Sequence, residues 1–277
     1  MAMLVFQPIA ESVMTPMFGL LSRAVGEPVA AYPWITLVSV FASMTLVLRV
    51  VDEAPWSSVG LDGGAWRPRV LMHGLVIGTG AIGVTMILLF ATGVAHVEPV
   101  TLPAEMGTSG DSWARAAVRL TALLAPSALW EELVFRGFLW TVAADAGGIR
   151  VARWSTACAF GALHLMNPGA GALSMAVVVS AGFCLGAFRE YTGSLPAAWT
   201  AHLAWNWVMA VGLNVPVSGV EFDVPGYQTV IDGPTWWTGG SWGPEGGAAA
   251  LLVMTGALAW WMRSTSWRSF RTENKSR

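Results

Sequence analysis

Long apolar runs alternate with short polar breaks along most of the chain, and the runs have the length that a bilayer demands. A helix crossing the hydrocarbon core needs about 20 mostly apolar residues. Candidate spans fall at 33–50, 70–95, 113–146, 150–167, 172–190, 194–213 and 246–263. Each reads as a helix, because a helix satisfies its own backbone where no water is present. The third run is too long for one straight crossing: at 1.5 Å per residue it would extend roughly 50 Å. It must tilt, bend near Pro126 or lie partly along the surface. The first 30 residues are apolar but broken by Glu11, Pro16, Arg23 and Pro28. They read as an interfacial helix, with an eighth span as the alternative. The pattern predicts an all-α fold, a polytopic transmembrane helical bundle of seven to eight spans.

Composition agrees. Of 277 residues, 55% are hydrophobic and only 12% charged, about half the charged fraction of an ordinary soluble domain. A net charge of -2 gives no reason to expect a nucleic-acid partner. Cys158 and Cys184 both fall in apolar runs, so no disulfide framework is expected. The opening MAMLVFQPIAES lacks a basic stretch ahead of a compact apolar core, and no cleaved signal peptide is read.

Charge also orders the loops. Arg49, Arg67, Arg69, Arg150, Arg153, Arg189 and the tail residues Arg263, Arg268, Arg271, Lys275 and Arg277 fall on one set of loops. The acidic loops 96–112, with Glu98, Glu105 and Asp111, and 214–245 fall on the other. The positive-inside rule then puts the C-terminus in the cytoplasm, with the N-terminus outside for seven crossings and inside for eight. Trp34, Trp113, Trp140, Trp154, Trp260 and Trp261 lie near expected span ends and read as an interfacial aromatic belt. The Gly- and Trp-rich stretch YQTVIDGPTWWTGGSWGPEGG supports no site assignment from its sequence.

One stretch breaks the apolar pattern. ALWEELVFRGFLW, residues 128–140, holds Glu131, Glu132 and Arg136. An ionised side chain at the bilayer centre costs at least about 2.5–3.5 kcal/mol on insertion scales. Glu132 and Arg136 are four apart, share a helix face and can pair. Glu131 points about 100° away, and four residues on its own face bears Phe135. It needs another partner or a proton. Two of the four histidines, His164 and His202, also lie inside spans, with Asn206 one turn beyond His202. Counted from the cytoplasmic span ends, they lie roughly 21, 12 and 18 Å deep, and Glu131 reaches a similar level. Polar groups on three helices can therefore converge on one buried pocket. The plain alternative is that each makes a separate interhelical hydrogen bond.

Such a pocket has three uses. A carboxylate beside a neutral imidazole can act as general base on water. An imidazole and an amide on one helix face can donate to a developing oxyanion. Together they suffice to hydrolyse a peptide bond without a covalent intermediate. The same Glu131, His164 and His202 could instead bind zinc, leaving one position for water, although the chain has no HExxH. Intramembrane Glu and His also mark proton relays in transporters, but the paired interrupted helices of transporter repeats are not evident.

Three motifs add a resemblance. EELVFR (Glu131–Arg136) has the pattern EExxxR, FGALH (Phe160–His164) has FxxxH, and HLAWN (His202–Asn206) has HxxxN. In this order and approximate spacing they resemble the CPBP family of intramembrane proteases. That family includes the type II CAAX prenyl endopeptidases and bacterial relatives linked to bacteriocin self-immunity, the Abi group. REYTGSLPAAWTAH, which leads to His202, is also similar to the family's approach to its last motif. Each motif alone is weak; three in order, each inside an apolar run, are specific. The resemblance covers residues 112–213, which stand as a protease core. Around it lie an N-terminal segment (1–32), a transmembrane pair with loops (33–111), a Gly/Trp-rich loop (214–245) and a last span with a basic tail (246–277).

The resemblance implies that Glu131 with His164 activates water and that His202 and Asn206 stabilise the oxyanion. Glu132 and Arg136 would support the site, and Phe160 would pack beside His164. Family members are often labelled metalloproteases. The expectation here is a glutamate-type endopeptidase without a cofactor, zinc on Glu131, His164 and His202 being the alternative. Expected partners are membrane lipid and a peptide or membrane-protein substrate, in a prokaryotic cell membrane. A rival reading keeps the fold without the chemistry, as a non-catalytic scaffold or immunity protein; a proton-coupled transporter stands third.

Overall fold

A computed structural model of the protein describes residues 2–25, 30–99 and 112–263. Pro28, Glu105, Asp111, Arg268, Arg271, Lys275, Arg277 and the side chains of Trp260 and Trp261, all used in the sequence reading, lie outside the described residues. Each apolar run of the sequence is helical over most of its length, the run 70–95 giving way to a turn after Ala91 and to a strand at Ala95. The helices are α1 (Ala2–Val25), α2 (Tyr32–Leu46), α3 (Pro68–Ala91), α4 (Trp113–Glu132), α5 (Leu139–Leu163), α6 (Ala172–Thr192), α7 (Leu195–Trp207), the short α8 (Thr235–Thr238) and α9 (Ala248–Arg263). Their starts follow local chemistry. Pro33, Pro68 and Pro196 occupy first turns, where a missing N–H costs nothing. Ser112 and Ser194 cap α4 and α7 by accepting backbone N–H bonds. Hydroxyls inside the helices, such as Ser39, Thr85 and Thr156, donate to the carbonyl one turn back, which spares them an unmatched polar group in an apolar setting.

Among the described residues, four stretches are long and apolar enough to cross a membrane: Ala2–Ala24, Tyr32–Val51, Pro68–Ala91 and Ala172–Thr192. The first has the dimensions of a span, despite the breaks that suggested an interfacial helix. Met3 packs against the cluster of Val40, Met44 and Leu48, so α1 runs antiparallel to α2.

Three features depart from the sequence reading. The fold is mostly helical rather than all-α: β1 (Ala95–Pro99) and β2 (Tyr227–Ile231) pair antiparallel, with Ala95 opposite Ile231 and Pro99 opposite Tyr227. A five-residue ladder between two loops leaves no apolar run for a hydropathy pattern to register. The long run 113–146 keeps Pro126 inside α4. Its path changes further on, at a π-helical turn over Leu133–Phe138 and at Gly148, whose φ of 79° and ψ of 175° break α5. Only glycine tolerates that conformation at low cost. Trp140, expected at an interface, is 4% exposed and packs where α6 has Gly186.

The close approach of α3 to α7 positions the site. A Cβ on Gly78 would collide with the Ala201 carbonyl, and one on Gly74 with Thr200 and the Ala197 carbonyl. Gly80, by contrast, has nothing within 4 Å. Gly78→Ala is therefore expected to push α7 away, costing about 1–3 kcal/mol, while Gly80→Ala leaves the melting temperature in detergent unchanged. Equal melting temperatures for the two variants would contradict this packing.

Candidate active site

Glu132 ends α4, and the chain continues directly into the π turn that carries Arg136. Single π turns inside helices are frequent at functional sites. Both side chains are fully buried, and Arg136 Nη1 donates to Glu132 Oε1 at 3.0 Å. The guanidinium reaches two more helices. Nη2 donates to the Gly182 carbonyl of α6 at 3.0 Å, and the cation lies 4.3 Å from the centre of the Phe160 ring on α5, a cation–π contact.

The same Glu132 oxygen accepts a second hydrogen bond, from His202 Nδ1 at 3.0 Å. This bond joins α7 to α4 at the site, alongside those that Trp199 and Trp207 donate to Ala125 and Thr121 of α4. With Nδ1 committed to a carboxylate, the ring's orientation is set. Its other nitrogen, Nε2, lies 4.0 Å from Glu131 Oε2. That separation is too long for a direct hydrogen bond, and short enough for a single water, once admitted, to bridge the two atoms. Glu131 Oε2 is buried and has no hydrogen-bond partner, a costly state for a carboxylate oxygen unless something completes it.

His164 follows the last residue of α5 and opens a short 3-10 turn. Its Nδ1 donates to the Phe160 carbonyl at 2.8 Å, which leaves Nε2 unprotonated in the neutral ring. Phe160 lies 4.7 Å from the His164 ring and 5.8 Å from that of His202. One aromatic ring thus spaces both imidazoles and Arg136. Among the described residues no hydrogen bond or ion pair joins Glu131 to His164; the imidazole in contact with Glu131 is that of His202.

A cavity of about 140 Å³ adjoins these groups. His164, His202 and Asn206 line its polar part, while apolar residues of α3, α6 and α9 line the rest. Glu131 does not line this cavity. The hollow expected to be shared by Glu131 and both imidazoles is therefore divided, with His202 touching both sides. Glu245 and Ser218 also line the cavity, and both come from the Gly/Trp-rich loop that carried no assignment. The one hint in the sequence is an acid flanked by Pro and Gly immediately before an apolar span. Among the described residues, Glu131, His164 and His202 included, no three His, Cys, Asp or Glu side chains are grouped to hold a metal ion.

No curated protein and no solved structure matches the chain. Residues 112–208, which contain Glu131, Glu132, Arg136, Phe160, His164, His202 and Asn206, match the family model described as type II CAAX prenyl endopeptidase, Rce1-like, the same family that the three motifs resemble.

Proposed function

We propose that the protein is an intramembrane endopeptidase of the CAAX type, hydrolysing a peptide bond at or within the bilayer with water activated by Glu131. The observation that carries this reading is the unpartnered, buried Oε2 of Glu131, 4.0 Å from His202 Nε2. A water between them gives a proton to Glu131 as its oxygen attacks the carbonyl carbon. The C–O bond forms and the carbonyl oxygen becomes an oxyanion, which accepts from Asn206 and from protonated His202. Glu131 then returns the proton to the leaving nitrogen as the C–N bond breaks. His164, with Nε2 open beside the cavity, orients the incoming water or the carbonyl. Glu132 and Arg136 hold His202 in place. The donor geometry favours this route over zinc, since the three candidate ligands do not gather around one point.

Comparing membranes from cells that make wild-type or His164→Ala protein tests the reading. Mass spectrometry is expected to find peptide termini produced only by the wild type and unchanged by a zinc chelator. Persistence of every such terminus in His164→Ala would overturn the assignment, whereas their loss on chelation would move the mechanism to zinc.

A further inference from the structure

The loop between α7 and α9 carries an acid that no step above uses. Glu245 is only 8% exposed, and it lines the cavity beside the two imidazoles. Three donors hold its carboxylate. Oε1 accepts from the backbone N–H and the hydroxyl of Ser218, each at 2.7 Å, and Oε2 accepts from the Trp205 indole at 2.6 Å.

The donors come from two sides of the site. Trp205 sits on α7 immediately before Asn206 and three residues after His202. Ser218 belongs to the start of the loop, and its carbonyl accepts from Asn167 Nδ2 at 3.1 Å, three residues beyond His164. At the next position the contact is steric, since a Cβ on Gly219 would collide with the Pro168 carbonyl. One carboxylate thus connects the segment that carries His164 with the helix that carries His202 and Asn206.

Attachment of the loop does not require this acid. Trp242, 1% exposed, already anchors it in a cluster with Phe135, Phe160 and Val178. Three short hydrogen bonds on one carboxyl group are directional, so Glu245 adds orientation where the Trp242 indole adds adhesion.

We propose that Glu245 is a positioning residue of the active site: it holds Trp205, and through it His202 and Asn206, against the His164 segment, and it closes the loop end of the cavity. The kinetic part of this proposal rests on the endopeptidase reading; the closure part does not.

Glu245→Gln keeps the size of the side chain but sets an amide NH2 against at least one of the donors. In purified protein, kcat is expected to fall about 10- to 100-fold, with KM changed by less than about threefold. Trp205→Phe cuts the same link from the other end, so the double variant should be no slower than the slower single one. Lower thermal stability with kcat per folded molecule unchanged, or fully additive losses, would overturn positioning through Trp205. Should Glu245→Gln not fold, Ser218→Ala removes one of two Oε1 donors and carries the same readouts, with a fall of about threefold.

Closure is read without catalysis. Cys184 lines the cavity, while Cys158 is exposed. In Cys158→Ala protein in detergent, a charged thiol reagent should modify Cys184 slowly, and about tenfold faster once Glu245→Gln is added. Equal rates would overturn closure. Absence of any cleavage by the wild type would end the endopeptidase reading, and the Cys184 rates would still decide this part.

Discussion

Glu131→Gln is expected to lower single-turnover cleavage by about 10²- to 10⁴-fold and to leave insertion and melting temperature unchanged. The two halves of that outcome have separate causes. Activity falls because an amide cannot take the proton of the attacking water. Stability holds because Glu131 Oε2 makes no hydrogen bond in the folded protein, so an isosteric neutral group gives up only the 4.0 Å electrostatic contact with His202. The neighbouring carboxylate behaves differently. Glu132 Oε1 accepts from both Arg136 and His202, and Glu132→Gln should lose stability along with activity. Thermal unfolding in detergent, run beside the cleavage assay, separates these adjacent residues. Cleavage retained by purified Glu131→Gln would exclude Glu131 as the base.

Much of this arrangement is legible in the sequence, because a bilayer makes charge placement expensive. The apolar runs that become α2, α3, α6 and α9 follow from length and hydropathy alone, and the Glu132–Arg136 pair follows from helical spacing. What escapes is everything that depends on how helices face one another. Depth counting gives His164, His202 and Glu131 compatible depths that permit a common site, but depth is one coordinate of three. It does not say that His202 turns Nδ1 to Glu132 while His164 turns Nδ1 back to its own helix at Phe160. The π turn and the break at Gly148 alter rotation about the helix axis without altering hydropathy. Glu245 escapes for another reason. An acid in a polar loop normally remains in water, and only the return of that loop against Trp205 and Ser218 buries it. The short β1–β2 ladder is likewise set by a pairing across more than a hundred residues.

Arg136→Met is expected to be the most destabilising single substitution in the site, by about 3–5 kcal/mol. Both members of its pair are fully buried, so removal of the guanidinium strands a carboxylate that water cannot reach. Glu132 Oε2 already lacks a hydrogen-bond partner, and His202 alone would remain on Oε1. The Gly182 carbonyl would lose the guanidinium donor, and Phe160 the cation above its ring. Lysine restores a charge but not the fork that reaches Glu132 and Gly182 together, so Arg136→Lys should recover only part of the loss. The double variant Glu132→Gln/Arg136→Met removes both charges from the interior. Because desolvation offsets much of what a buried pair contributes, it should melt above Arg136→Met alone. It should nonetheless remain inactive, since His202 Nδ1 would face a neutral amide in place of the carboxylate that orients the ring. Melting temperatures of the four proteins should be highest for the wild type and lowest for Arg136→Met, with the double variant and Arg136→Lys between them, while cleavage should be absent from the double variant despite its recovered stability. A melting temperature for Arg136→Met equal to that of the wild type would mean that Glu132 carries no charge for the guanidinium to balance, and the hydrogen-bonded frame assigned to His202 would fall with it.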